Sequence, residues 1–170
     1  MYDANFGEWI RNEDNCKIVG SNLKRYIEKY KISEFITVVK WIVKDWTLKS
    51  IILFSKKLIL DDLFTKTSEE YTRRIKIISG FIYTWNPIFI SEFLMATAVD
   101  LTIEKRADFF VGIMSVFETK KLSEILSQIE GKTDQEMKNV LVKRFKDSIY
   151  QPTNDKWKRT SSLVDAFNLI

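Results

Sequence analysis

The sequence predicts an all-α fold, a compact single-domain bundle of about eight to nine helices. Only 5 Gly and 2 Pro occur among the 170 residues, so the chain has few of the residues that form the turns of β-sheet proteins. Apolar residues recur at three- and four-residue spacing in several segments, which is the pattern of an amphipathic helix. Long helices joined by short polar turns account for both observations.

Four apolar stripes carry the helix prediction. They comprise Phe35, Val38, Val39, Ile42 and Trp46; Ile75, Ile78, Ile82 and Trp85; Phe109, Ile113, Val116 and Phe117; and Met137, Leu141 and Phe145. The predicted helices are 21–30, 33–48, 50–64, 68–85, 87–100, 103–118, 120–130, 134–150 and 161–169. The segment 50–64 also has strand propensity, because four apolar residues follow one another at 51–54. The segments 75–90 and 109–117 are apolar on much of their circumference, so we expect them to be central.

Several helix ends have recognisable signals. Asn86 followed by Pro87 is a typical helix N-terminus. Thr67 and Thr133 each precede a glutamate by three residues, the spacing of a capping box. Gly131 is the expected end of the helix before it.

The length fits one domain covering 1–170. Within it, residues 1–17 are predicted to form a loosely held N-terminal arm, and 151–160 a linker before a short C-terminal helix.

Composition indicates a cytoplasmic, reducing environment. Cys16 is the only cysteine, so the chain can form no internal disulfide. The first residues are polar and lack the apolar core of a signal peptide, and no apolar run approaches the roughly 18 residues that span a bilayer. The excess of Ile and Lys over Gly and Ala indicates an A/T-rich genome, such as that of a low-GC bacterium, a phage or another virus, or some protists.

The residues that most enzymes need are scarce. Histidine is absent, which removes the commonest general base and the commonest zinc ligand. Cys16 has no histidine to activate it. Gly131-Lys132-Thr133 resembles the end of a phosphate-binding loop, but Leu126 stands where that loop needs glycine. We therefore predict no enzymatic activity, no cofactor and no metal site.

One alternative involves three carboxylates at successive four-residue spacing, Asp100, Glu104 and Asp108. On one helix face they could bind Mg²⁺ or perform acid–base chemistry. A solvated acidic ridge is the simpler interpretation, because Lys105 and Arg106 lie beside them.

The leading functional hypothesis is a non-enzymatic protein-interaction module, which self-associates or docks to a partner protein. A small accessory protein of a phage, a virus or a low-GC bacterium fits this hypothesis. The chain contains 14% aromatic residues, and aromatic side chains anchor many interfaces. Trp41 lies off the apolar stripe of its helix, whereas Trp9 and Trp157 lie in the predicted arm and linker.

The alternative hypothesis is binding of single-stranded nucleic acid or RNA by the C-terminal segment. Basic and aromatic residues alternate there, which suits phosphate contacts and base stacking. The residues concerned are Lys143, Arg144, Lys146, Tyr150, Lys156, Trp157, Lys158 and Arg159.

Overall fold

A computed structural model describes residues 12–148 of the chain. These residues form eight α-helices and one 3-10 helix, and no strand occurs among them. The predicted all-α class is therefore confirmed. The same residues include no helix that is long and apolar enough to span a membrane.

The helices are short and follow one another closely. They are α1 (Glu13–Lys24), α2 (Ile32–Val43), α3 (Leu48–Leu58), the 3-10 helix (Leu60–Thr65), α4 (Ser68–Ile82), α5 (Pro87–Thr97), α6 (Ile103–Met114), α7 (Thr119–Glu130) and α8 (Gln135–Ser148). The predicted C-terminal helix 161–169 and the linker before it lie outside the described residues.

The first helix differs most from its prediction. It begins at Glu13, and the Asn12 side chain caps it by accepting a hydrogen bond from the Asp14 amide at 2.9 Å. It ends at Lys24, so the predicted helix 21–30 is wrong over its second half, where the chain forms successive turns. Residues 13–17, predicted to be part of the arm, are helical, and the Cys16 side chain is fully buried.

The segment 50–64 is helical, as predicted, with a change of geometry inside it. The Thr47 hydroxyl accepts a hydrogen bond from the Ser50 amide at 3.2 Å and begins α3. After Leu58 the chain tightens into the 3-10 helix, in which Leu60 and Leu63 are buried.

Most of the predicted helix ends are confirmed. The Asn86 side chain accepts from the Phe89 amide at 2.9 Å, and Thr67 from the Glu70 amide at 3.2 Å. Gly131 caps the end of α7 in a right-handed conformation. The box at Thr133 is wrong by one residue, because Asp134 accepts the hydrogen bond from the Met137 amide at 2.9 Å.

The backbone contacts divide the chain into two compact units, Met1–Ile82 and Tyr83–Ile170. The proposal that 1–170 forms one domain stays a prediction. In the first unit α1 packs against α3, and α2 against α4. Its core includes Val39, Phe54, Leu58, Ile77, Ile78 and Phe81.

The second unit repeats this arrangement of alternate helices. Here α5 packs against α7, and α6 against α8. Its core includes Ile90, Phe93, Phe110, Ile113, Leu126 and Leu141.

The predicted apolar stripes are correct at most positions and wrong at two. Phe35 and Val39 are buried, but Val38 is 46% exposed, and α2 buries Val43 instead. Val116 is 38% exposed because α6 ends at Met114 and Val116 lies in the turn that follows.

Candidate functional site

The outer face of α2 carries the most exposed tryptophan among the described residues. Trp41 is 64% exposed, and Val38, one turn earlier on the same side of the helix, is 46% exposed. The opposite face of α2 is fixed in the core by Phe35, Val39 and Val43. Because that buried face sets the rotation of the helix, Trp41 is held pointing outward. The expectation that Trp41 lies off the stripe is confirmed.

Charged side chains flank Trp41 on both sides. Glu34 lies on the side of Val38, whereas Lys40 and the C-cap residue Lys44 are one turn apart on the other side. Asp45 lies in the turn that directly follows α2. All four are exposed, and none forms an ion pair with a described residue. The outer face of α2 therefore has an apolar centre with an acidic flank and a basic flank.

The other two predicted tryptophan anchors, Trp9 and Trp157, lie outside the described residues. So do most of the predicted nucleic-acid-binding residues, namely Tyr150, Lys156, Lys158 and Arg159, and the Lys146 side chain. The structure describes Lys143, which is exposed, and Arg144.

Arg144 connects α8 to α6. Its guanidinium forms ion pairs with Glu104 and, at 3.2 Å, with Asp108. A phosphate would have to compete with both carboxylates for this side chain, so Arg144 is a weaker phosphate ligand than the sequence indicates. Its role in nucleic-acid binding stays a prediction.

The three carboxylates proposed as an alternative metal site do not share one face. Glu104 and Asp108 lie on α6, but Asp100 precedes the helix cap, Thr102. Burial raises the pKa of Asp108, an effect that Arg144 opposes and Glu104 reinforces. Among residues 12–148, no group of three acidic or cysteine side chains is arranged to hold a metal ion.

Two further sequence features have structural roles. The Cys16 thiol is buried in α1. Gly131 ends α7, and the Thr133 hydroxyl donates to the Ile129 carbonyl at 3.2 Å. The segment Gly131-Lys132-Thr133 is therefore a connection between two helices, as the helix-stop interpretation predicts.

A second surface was missed by the sequence analysis, the turn at residues 25–31, which we call the aromatic–basic turn. Tyr26 and Tyr30 are 37% and 50% exposed, and their ring centroids are 6.2 Å apart. Arg25 and Lys29 lie 5.9 Å and 5.4 Å from the centroid of the Tyr26 ring. The signal in the sequence is the alternation of basic and tyrosine residues at 24–31, which the predicted helix 21–30 obscured.

The aromatic–basic turn is fixed from its inner side by α4. Ile27 is fully buried beneath it. Arg73 donates from Nε to the Ile27 carbonyl at 2.8 Å and from Nη2 to the Tyr30 carbonyl. Arg74, itself only 3% exposed, forms an ion pair with Glu28 at 2.7 Å. The turn is therefore anchored by two arginines more than forty residues away in the chain.

An open groove of about 480 Å³ adjoins this turn. Arg73, which contacts the turn, also lines the groove, together with Ile32, Ser68, Glu69, Thr72 and Lys76. The lining combines hydroxyl groups with two cations and one carboxylate, a surface suited to a polar ligand.

One nearby lysine is already paired. Lys24 donates to the Asp62 carboxylate at 2.7 Å, and Lys66 approaches the same oxygen at 3.2 Å. Burial opposes ionisation of Asp62, but the two lysines outweigh it and lower the pKa of this carboxyl. Lys24 is thereby held against Asp62 and is less available to a ligand.

No family model, curated protein or solved structure matches this chain. The functional interpretation therefore depends on the residues and surfaces described above.

Proposed function

We propose that the chain is a non-enzymatic protein-interaction module and that the outer face of α2 is its contact surface. The observation that carries this proposal is Trp41, which is 64% exposed on a helix whose opposite face is buried in the core. Tryptophan is among the residues most enriched at the energetic centres of interfaces, because a single ring excludes water from a large area. A rigid helix also presents the ring at little cost in conformational entropy.

The occupant that the charges favour is a second copy of this chain. Glu34 and the basic flank, Lys40 and Lys44, lie on opposite sides of Trp41, and Asp45 in the turn after α2 adds a second acidic group to the surface. When two α2 helices pair in parallel about a two-fold axis, the acidic flank of each faces the basic flank of the other. The surface is self-complementary in that arrangement, with the two tryptophans at its centre.

The area available limits the affinity of such a dimer. One helix face with a single large apolar side chain is smaller than the roughly 1,200 Å² at which standard interfaces begin. We therefore expect a weak dimer with a Kd in the micromolar range or above, on the order of 10–100 µM. Association would then depend on the local concentration of the protein.

The test is sedimentation equilibrium of the full chain from about 5 to 500 µM, a range that brackets the expected Kd. The wild-type protein should pass from monomer to dimer. Trp41→Ala should weaken association at least about tenfold, the effect of losing an interface hot spot. The matched control is Phe89→Ala, which removes an aromatic side chain that is 50% exposed in the other unit, and it should leave association unchanged.

Charge reversal tests whether the partner of the α2 surface is a second copy of this chain. Lys40→Glu should weaken the dimer, and reversing all four charges in one chain (Glu34→Lys, Lys40→Glu, Lys44→Glu and Asp45→Lys) should restore it, because the two flanks are then exchanged and complementary again. If the wild-type protein stays monomeric over the whole concentration range, the partner of the α2 surface is not a second copy of this chain. Equal weakening by Phe89→Ala contradicts the α2 surface.

A further inference from the structure

The aromatic–basic turn presents tyrosine rings and cations from a fixed backbone. Ile27 anchors it in the core, and Arg73 binds two of its carbonyl groups. Successive turn hydrogen bonds, including one from the Lys29 amide to the Tyr26 carbonyl at 3.0 Å, hold the remaining backbone. A ligand that contacts its outer side chains therefore meets a surface that needs little ordering.

The cations of the turn are available to a ligand. Arg25, Lys29 and Lys31 are exposed, and none forms an ion pair with a residue that the structure describes. The only carboxylate within the turn, Glu28, is paired with Arg74. The outer surface of the turn is therefore strongly positive.

The whole first unit shares this charge. Residues 1–82 contain 15 basic and 11 acidic residues, whereas residues 83–170 contain 12 of each. The entire formal net charge of +4 thus belongs to the unit that carries the turn. A net positive unit attracts polyanions and accelerates their encounter with it.

We propose that the aromatic–basic turn binds single-stranded nucleic acid, with bases stacked on Tyr26 and Tyr30 and phosphates held by Arg25, Lys29 and Lys31. Proteins that bind single strands without sequence preference combine exposed aromatic rings with a cationic track for the backbone. Both features occur here within seven residues. The ring planes meet at 52°, so the two tyrosines are not stacked on each other. A base that stacks on Tyr26 has to displace Arg25 or Lys29 from its ring, and the displaced cation can then pair with a phosphate.

The groove beside the turn extends this surface. Lys76 and the hydroxyls of Ser68 and Thr72 line it and can bind the next phosphate or sugar. Glu69 on the same wall opposes a phosphate, so the turn itself carries most of the affinity. This site consists of other residues than the C-terminal segment that the sequence predicts and than the outer face of α2.

The test is fluorescence anisotropy with a labelled oligothymidine or oligouridine of about 12 nucleotides, a length within the range of such sites. The full chain is titrated at about 50 and 200 mM salt, and the affinity should fall steeply between them. Tyr30→Ala should weaken binding roughly five- to hundredfold, the loss expected for one stacked base, whereas Tyr30→Phe should keep it.

A charge-matched pair of variants separates local from general electrostatics. Lys29→Glu should weaken binding at least about tenfold and reduce the salt dependence. Lys120→Glu makes the same change on an exposed residue of the second unit and should have a much smaller effect. Because these variants change surface residues, circular dichroism should show the same helix content as the wild type.

The proposal is wrong if the chain does not bind the oligonucleotide at low salt, or if Tyr30→Ala and Tyr30→Phe bind it equally well. It is also wrong if Lys29→Glu and Lys120→Glu weaken binding equally. Loss of binding only in Lys158→Glu/Arg159→Glu would assign the activity to the C-terminal segment. Polyglutamate that binds as tightly as the oligonucleotide would show that the turn recognises acidic peptides instead. Trp41→Ala should leave nucleic-acid binding unchanged, so this proposal and the α2 dimer can fail separately.

Discussion

The close crossing of α1 and α3 makes Gly20 sensitive to substitution. A Cβ atom at this position would lie 2.6 Å from the Phe54 carbonyl oxygen and 3.1 Å from the Lys57 Cβ. Both neighbours belong to the α3 backbone or are attached directly to it, so no side-chain rotation relieves the contact. Gly20→Ala therefore forces the two helices apart.

Two opposing effects set the magnitude. Overpacking against a fixed backbone typically costs about 1–3 kcal/mol. Alanine in place of glycine within a helix returns up to about 1 kcal/mol. We expect Gly20→Ala to lower the free energy of unfolding by about 1–2 kcal/mol, which for a chain of this length lowers the Tm by roughly 2–8 °C.

Two other glycines serve as matched controls. At Gly80 the added Cβ would meet the Ile36 Cδ1 atom at 2.3 Å, the end of a side chain that can rotate. An off-rotamer side chain costs about 0.5–1.5 kcal/mol, so the helix-propensity gain roughly cancels it. At Gly131 nothing lies within 4 Å of the added Cβ, and the backbone is right-handed, so alanine should stabilise by about 0.4–1 kcal/mol.

The assay is urea denaturation of the three alanine variants followed by circular dichroism. Ile36→Val removes the clashing Cδ1 atom, so Gly80→Ala should become more favourable in that background. No single side-chain change should rescue Gly20→Ala in the same way. A Gly20→Ala protein as stable as the wild type, or less destabilised than Gly80→Ala, would refute the argument that backbone approach controls this crossing.

Three further predictions concern charged groups. Glu28→Gln should destabilise the protein by about 1–3 kcal/mol in urea denaturation, because it leaves the buried Arg74 guanidinium with Glu70 as its one carboxylate partner. Arg74→Met should destabilise the protein less, because the carboxylates that it leaves unpaired reach water. The pKa of Asp62 is lower in the folded state, so this carboxylate stabilises the fold above its unfolded pKa, and the stabilisation is lost as the pH falls through the folded pKa. Asp62→Asn should therefore reduce the loss of stability at acidic pH. The same loss in Asp62→Asn as in the wild type would contradict this. Asp108→Asn should change stability at pH 7 by less than about 1 kcal/mol in thermal melts, because burial disfavours the ionised carboxylate, and a larger loss would mean that its ion pair outweighs burial.

Helix ends were predictable where one local residue determines them. Asn86 before a proline leaves few alternatives, and its side chain caps α5 as expected. At Thr133-Asp134 two adjacent residues can each cap a helix, and the local sequence does not choose between them. The structure places the cap at Asp134, which shifts α8 by one residue relative to its prediction.

The first helix could not be predicted from local sequence, because a contact with residues far along the chain stabilises it. Gly20 in its middle lowers helix propensity, so the segment 13–24 has a weak local signal. The structure needs glycine there because α3 approaches to 2.6 Å of where a Cβ would be. That approach involves residues more than thirty positions away, which no local pattern contains.

The two candidate surfaces were not equally predictable. Trp41 lies off the apolar stripe of α2, so periodicity alone indicated its exposure. The aromatic–basic turn depends on Arg73 and Arg74 reaching back to residues 27, 28 and 30. Both arginines read as ordinary surface cations in the sequence, and only the tertiary structure shows that one of them is buried.

The two surfaces differ in the physical response that each should show, although both belong to the first unit. The aromatic–basic turn ends where α2 begins, and Trp41 follows that point by nine residues, which is about 14 Å along the helix. One ligand therefore need not cover both the turn and Trp41. The opposed charges on the flanks of the α2 surface are exposed, so added salt should weaken dimerisation, but only modestly, because the contact of the apolar centre does not depend on charge. The cations of the turn form no ion pair with residues 12–148, so binding of a polyanion to them should weaken steeply with salt. If association and nucleic-acid binding were to respond in parallel to salt and to Trp41→Ala, one shared surface would explain both and the assignment to two surfaces would be wrong.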